Sequence, residues 1–153
     1  MQLTDVFLRL GQDNFDQLLR HISLGRLKTY QLFERVKTRL HLNKLNSETL
    51  RRAGPRTWAR LEAREEEFAS DLAQAILVSH LEMIRAVLDH LEIPHEDGFF
   101  SKDADLSKHF QEGWQQRAWD KFRGAYPDAA LLFYINHLGW EVAQSQEVFA
   151  PAA

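Results

Sequence analysis

His137 and Glu141 stand four residues apart, a spacing that puts an imidazole and a carboxylate on one face of a helix, beside Gln144. That pair could form half of a metal site, but the same spacing is more often an ordinary stabilising surface pair. His80 falls at four-residue steps with Leu72, Ile76 and Ile84, on the apolar side of a helical segment. A neutral imidazole held there could bind a metal or small ligand or carry a proton. A core histidine with one hydrogen bond is the commoner outcome, and the helix offers no second ligand on that face. We therefore expect a buried structural role for His80. His80, His137 and Glu141 are the residues to line a pocket under the ligand-binding alternative.

His90, His95, Glu96 and Asp97 gather around Pro94. Glu92 and His95 have the Glu-x-x-His spacing of di-iron bundles, but those need the motif on an unbroken helix, twice, with two further glutamates. Pro94 breaks this copy and no second exists, so the acidic loop reads as a solvated helix end. It also lacks the ligand order of a calcium loop. The chain has no cysteine, which removes disulfides, thiolate metal sites and a cysteine nucleophile. Gly-rich phosphate loops, Gly-x-Ser-x-Gly and His-Glu-x-x-His are all missing. No catalytic residue, cofactor or metal is assigned, and the reading leans away from an enzyme.

Charge is distributed unevenly behind a formal net of −3. Residues 1–60 hold 12 basic and 5 acidic side chains, and the remainder holds 7 basic and 17 acidic. The segment 20–60 is the most basic, with 11 basic residues against Glu34 and Glu48. Its layout loosely follows helix-turn-helix, and Arg51, Arg52, Arg56 and Arg60 would be its phosphate contacts. Against that, Gly54-Pro55 breaks the recognition helix, and Glu62, Glu65, Glu66 and Glu67 come within two turns of the arginines. Nucleic-acid binding is thus the disfavoured alternative.

Phe110, Trp114, Phe122 and Tyr126, with Trp119 beside them, form an aromatic stripe that reads as core. Phe99-Phe100 is harder to explain. Two adjacent rings in an Asp/Gly/Ser-rich loop either plug the core or mark a contact with a partner.

Helices must position these residues. Leu and Ala number 22 and 16, against 16 for Val, Ile and Thr together. That balance favours helix over strand. No strict apolar–polar alternation is sustained, and Asp97-Gly98 follows a helix-like run rather than a strand. Thr4 is placed to cap a first helix ending at Gly11, and a second runs from about Asn14 to Leu24. Arg26–Leu42 and a short helix from Asn46 or Ser47 follow, and Pro55 opens another. The stretch from Phe68 to Glu92, without Gly or Pro, is the central apolar helix. One helix is expected over about 107–123, and a last one, apolar almost all round, from Asp128 to about Ala143.

The expected fold is all-α, a single-domain bundle of six or seven helices over residues 1–148, with 149–153 a frayed tail. The start of the chain is not a secretory signal. The longest apolar run, Ala129–Ile135, is far short of the roughly 20 residues that cross a bilayer, so a soluble, cytoplasmic protein is expected. The functional expectation is a non-enzymatic helical protein-interaction or regulatory module. Its partner is another protein or a second copy, and Phe99 and Phe100 are the candidate contacts.

Overall fold

The computed structural model describes residues 1–22, 54–101 and 105–152. Their regular structure is all helical: seven α-helices and one turn of 3-10 helix. They form two compact units, one of residues 2–79 and one of Met1 with residues 80–153. The expected helices at Arg26–Leu42 and from Asn46, with Arg51 and Arg52, lie outside the described residues.

The first unit contains α1 (Leu3–Leu10), α2 (Gln12–Arg20), α3 (Gly54–Glu62) and α4 (Glu66–Val78). Gly11, at φ 90, turns the chain between α1 and α2, a conformation that glycine adopts without a Cβ clash. Asn14 secures the corner by donating from Nδ2 to the Leu10 carbonyl at 2.7 Å. Thus α2 begins two residues before the expected Asn14. Phe7, Leu18, Leu19, Leu61, Phe68, Leu72 and Ile76 are fully buried. Phe15 meets Phe7 edge-on at 6.0 Å and Trp58 at 5.4 Å.

Thr4 does not cap α1. It sits inside the first turn, buried. The cap residue is Gln2, whose amide donates to the Asp5 carboxylate at 2.9 Å. Glu66, from the start of α4, takes the next two orphan amides, those of Leu3 and Thr4. At its other end α3 closes in a Schellman motif. Arg64 is left-handed at φ 63, with its amide donating to Leu61 at 3.0 Å and that of Glu65 to Arg60 at 3.2 Å. The guanidinium of Arg64 then pairs with Asp5.

The expected 68–92 helix is helical and apolar but comes in two pieces, α4 and α5 (Leu81–His90). Ser79 Oγ donates back to the Ala75 carbonyl at 2.9 Å, the local side-chain bond that competes with helix continuation. His80 follows in a non-helical conformation, φ −131, ψ 39.

The second unit contains α5, a 3-10 turn at Ser107–His109, α6 (Trp114–Phe122) and α7 (Asp128–Glu141). Helix α6 packs against both α5 and α7. Every residue of α7 from Ala129 to Gly139 is buried, as its apolar circumference predicts. The single helix expected over 107–123 is not formed. Asp105 accepts the Ser107 amide at 3.0 Å and its hydroxyl at 2.7 Å, which opens only a 3-10 turn. Gly113, left-handed at φ 81, then starts α6 afresh. The closing residues, expected to fray, carry three hydrogen bonds. Buried Asn136 brackets Phe149, accepting its amide at 2.7 Å and donating to its carbonyl at 3.2 Å, and the Ala152 amide reaches Gln116 at 3.0 Å.

Candidate functional site

Helix α5 ends in a second Schellman motif. Glu92 is left-handed at φ 59, its amide donates to Asp89, and the Ile93 amide donates to Leu88, both at 3.0 Å. Buried Ile93 packs in at the position the motif requires. Pro94 prevents any return to helix. Because the helix stops before Glu92, Glu92 and His95 do not share a helical face.

Asp97-Gly98 then makes a two-residue turn. Both residues are left-handed, at φ 52 and φ 90, the signature of a type I′ hairpin turn. Glu96 and Phe99 exchange two backbone hydrogen bonds across it, at 2.8 and 2.9 Å. Alternating strands do not flank this dipeptide, so its sequence marks a helix stop rather than a hairpin. The pairing is a single isolated bridge, too short for any periodicity to announce.

His95 fastens the turn to α5. Its ring bonds Asp89 through Nε2 at 2.6 Å and accepts the Gly98 amide on Nδ1 at 3.0 Å. A backbone amide only donates, so Nδ1 is the unprotonated nitrogen and Nε2 carries the proton given to the carboxylate. The turn lies close on α5: a Cβ on Gly98 would stand 3.2 Å from Ile84 Cγ2. Arg85, also on α5, reaches Asp97 at 3.8 Å.

The product of this construction is Phe99. It is 58% exposed, the one exposed large apolar side chain among the described residues. Asp89, Glu92, Glu96 and Asp97 are exposed in the same stretch of chain. Phe100 is half-buried.

The other candidates are placed as follows. Arg56 is exposed on α3. Arg60 is not available in the same way: it bonds Glu65 at 3.0 Å and lies 4.1 Å over the Phe68 ring. His137 and Glu141 come together on α7, Nδ1 to Oε2 at 3.5 Å, with the imidazole buried between the Phe133 and Trp140 rings. Glu141 lines a cleft of 660 Å³ with Asp105, Glu112, Gln115 and Gln144, but His80 and His137 are not among its walls. His80 is half-buried at the start of α5 rather than on the face of a continuous helix. Among the described residues, no three His, Asp or Glu side chains are grouped to hold a metal ion.

The aromatic stripe packs inward. Phe110 meets Trp114 at 5.0 Å, and Phe122 meets Tyr126 at 6.1 Å and His90 at 5.6 Å. Burial, with Lys121 and Arg117 nearby, holds the His90 imidazole below its ordinary value. Burial, reinforced by Glu141, pushes the Tyr134 phenol far above the usual range, so it stays protonated. No helix among the described residues is long and apolar enough to cross a membrane. No protein-family model, curated protein or solved structure matches the chain.

Proposed function

We propose that this chain acts by binding another protein, a distinct partner or a second copy, through the Phe99 turn. The observation that carries the reading is the exposure of Phe99 on a turn that is fastened rather than loose. An aromatic ring left in water gains by burial elsewhere, and aromatic side chains dominate the energetics of protein interfaces. A turn already held by four hydrogen bonds loses little further freedom on binding. The exposed Asp89, Glu92, Glu96 and Asp97 in the same segment favour a partner carrying Lys or Arg beside an apolar pocket. A regulatory role through such contacts and a cytoplasmic setting, which the lack of cysteine fits, belong to the same proposal. The nucleic-acid alternative is weakened by the engagement of Arg60 with Glu65 and Phe68.

A photo-crosslinking residue at position 99, compared with one at exposed Ala125, tests the proposal in cells that make the protein. A discrete adduct from position 99, and none from 125, is expected. Equal adducts from both, or none from 99, would contradict it.

A further inference from the structure

We propose that His95 is a proton-operated latch on the Phe99 turn: protonation of its Nδ1 releases the Gly98 amide and frees the ring that the turn presents. The proposal rests on the reading of Phe99 as the contact and adds a means of regulating it.

The argument is one of donors and acceptors. Neutral His95 uses both nitrogens, Nε2 on Asp89 at 2.6 Å and Nδ1 as acceptor for Gly98 at 3.0 Å. An imidazolium has two donors and no acceptor. A proton on Nδ1 therefore points at the Gly98 N–H, and an attractive contact becomes a repulsive one. The Asp89 bond survives, strengthened by charge. The ring stays with α5 while the turn must leave the ring.

The charged and titratable groups around the latch come from α5, from the chain after it and from the 3-10 turn. From α5, Asp89 Oδ1 bonds Nε2, and Arg85 reaches toward Asp97 at 3.8 Å. Glu92 and Glu96 are exposed on either side. From the 3-10 turn, His109 is spent on the Leu91 carbonyl at 3.0 Å. Across the turn itself, Glu96 and Phe99 exchange their backbone hydrogen bonds. Its second residue is Gly98, whose φ of 90 is one of many that glycine adopts freely once the bond is gone. The side chain of His95 is only 11% exposed, and its Nδ1 meets the Gly98 amide, so a proton taken up there displaces that bond.

Nuclear magnetic resonance on the intact chain tests this without any partner. Imidazoles change charge between about pH 5 and 8, and spectra are recorded across that window. At the alkaline end the His95 ring nitrogens should show Nδ1 bare and Nε2 protonated. As the His95 ring takes up its proton, the Gly98 amide should move. Its exchange, corrected for the intrinsic dependence on pH, should quicken about fivefold, the worth of one hydrogen bond. The Phe99 ring signals should narrow over the same range.

In His95→Gln, which does not titrate, the Gly98 amide should show no transition with pH. His95→Asn, whose Oδ1 can accept the amide in place of Nδ1, serves the same purpose should the Gln form fail to fold. The proposal is overturned if Nδ1 carries the proton at the alkaline end. It is also overturned if Gly98 is indifferent to the protonation of His95, or if the transition persists in the variants. Failure here leaves the contact role of Phe99 standing, and failure of the crosslink from position 99 leaves the latch standing.

Discussion

The Glu66 carboxylate accepts the Leu3 amide at 2.5 Å, so a residue of α4 caps α1 across 63 positions of sequence. Its second oxygen takes the Thr4 amide at 3.2 Å. A negative charge at a helix N-terminus satisfies orphan donors and meets the positive end of the helix dipole. Glu66→Ala should cost about 1–2 kcal/mol in denaturant unfolding, and Glu66→Gln, which keeps an acceptor, should cost less.

Glu92 occupies the left-handed position of a helix end, where a Cβ is strained. It is exposed, so little is lost by removing its side chain. Glu92→Gly should stabilise the protein by about 0.5–1 kcal/mol, the relief of strain exceeding the added freedom of the unfolded chain. A raised thermal midpoint checks this.

Asn136 makes three hydrogen bonds from a buried position, to Leu132 and to both backbone groups of Phe149. Asn136→Ala should cost about 1–3 kcal/mol and release the end of the chain. Limited proteolysis should then cut near Phe149 in the variant well before the parent.

Tyr134 buries its hydroxyl with no hydrogen-bond partner. An unsatisfied polar atom in the interior costs free energy, so Tyr134→Phe should be neutral or stabilising by up to about 1 kcal/mol. Chemical denaturation of the two proteins decides it.

Burial, aided by Lys121 and Arg117, depresses the pKa of His90 below 6.5, so the folded state binds this proton less readily than the unfolded state. Stability from this group is therefore full above the unfolded value and falls as pH drops through it toward the lower folded value. His90→Asn should flatten that part of the pH–stability curve, measured as denaturation midpoints between about pH 7.5 and 5.

Much of the architecture was legible because it depends on local chemistry. Gly11, Pro55, Gly124 and Pro127 mark boundaries that the structure keeps, and the largely apolar Ala129–Leu138 stretch is the buried helix it resembles. The errors arose where a side chain intervened. Thr4 has the right type for a cap, yet the carboxylates of Asp5 and Glu66 take the amides instead. Nothing in the Phe68–Glu92 sequence breaks a helix by propensity, and the break falls at Ser79, whose hydroxyl bonds back to Ala75, and His80, which is non-helical. Within 107–123, the left-handed conformation of Gly113 separates the turn from the helix. At the candidate site, Phe99 was singled out by its neighbours in sequence. The fastening by His95 was not, because it joins residues six apart across a helix end and a proline, which no periodicity encodes.

The affinity of the partner captured from position 99, measured by calorimetry against the parent protein and Phe99→Ala, tests the central claim most directly. A central aromatic contact accounts for at least about 2 kcal/mol of binding, so Phe99→Ala should weaken the complex by roughly thirtyfold or more while leaving unfolding stability unchanged. Equal affinity in the two proteins would contradict the account.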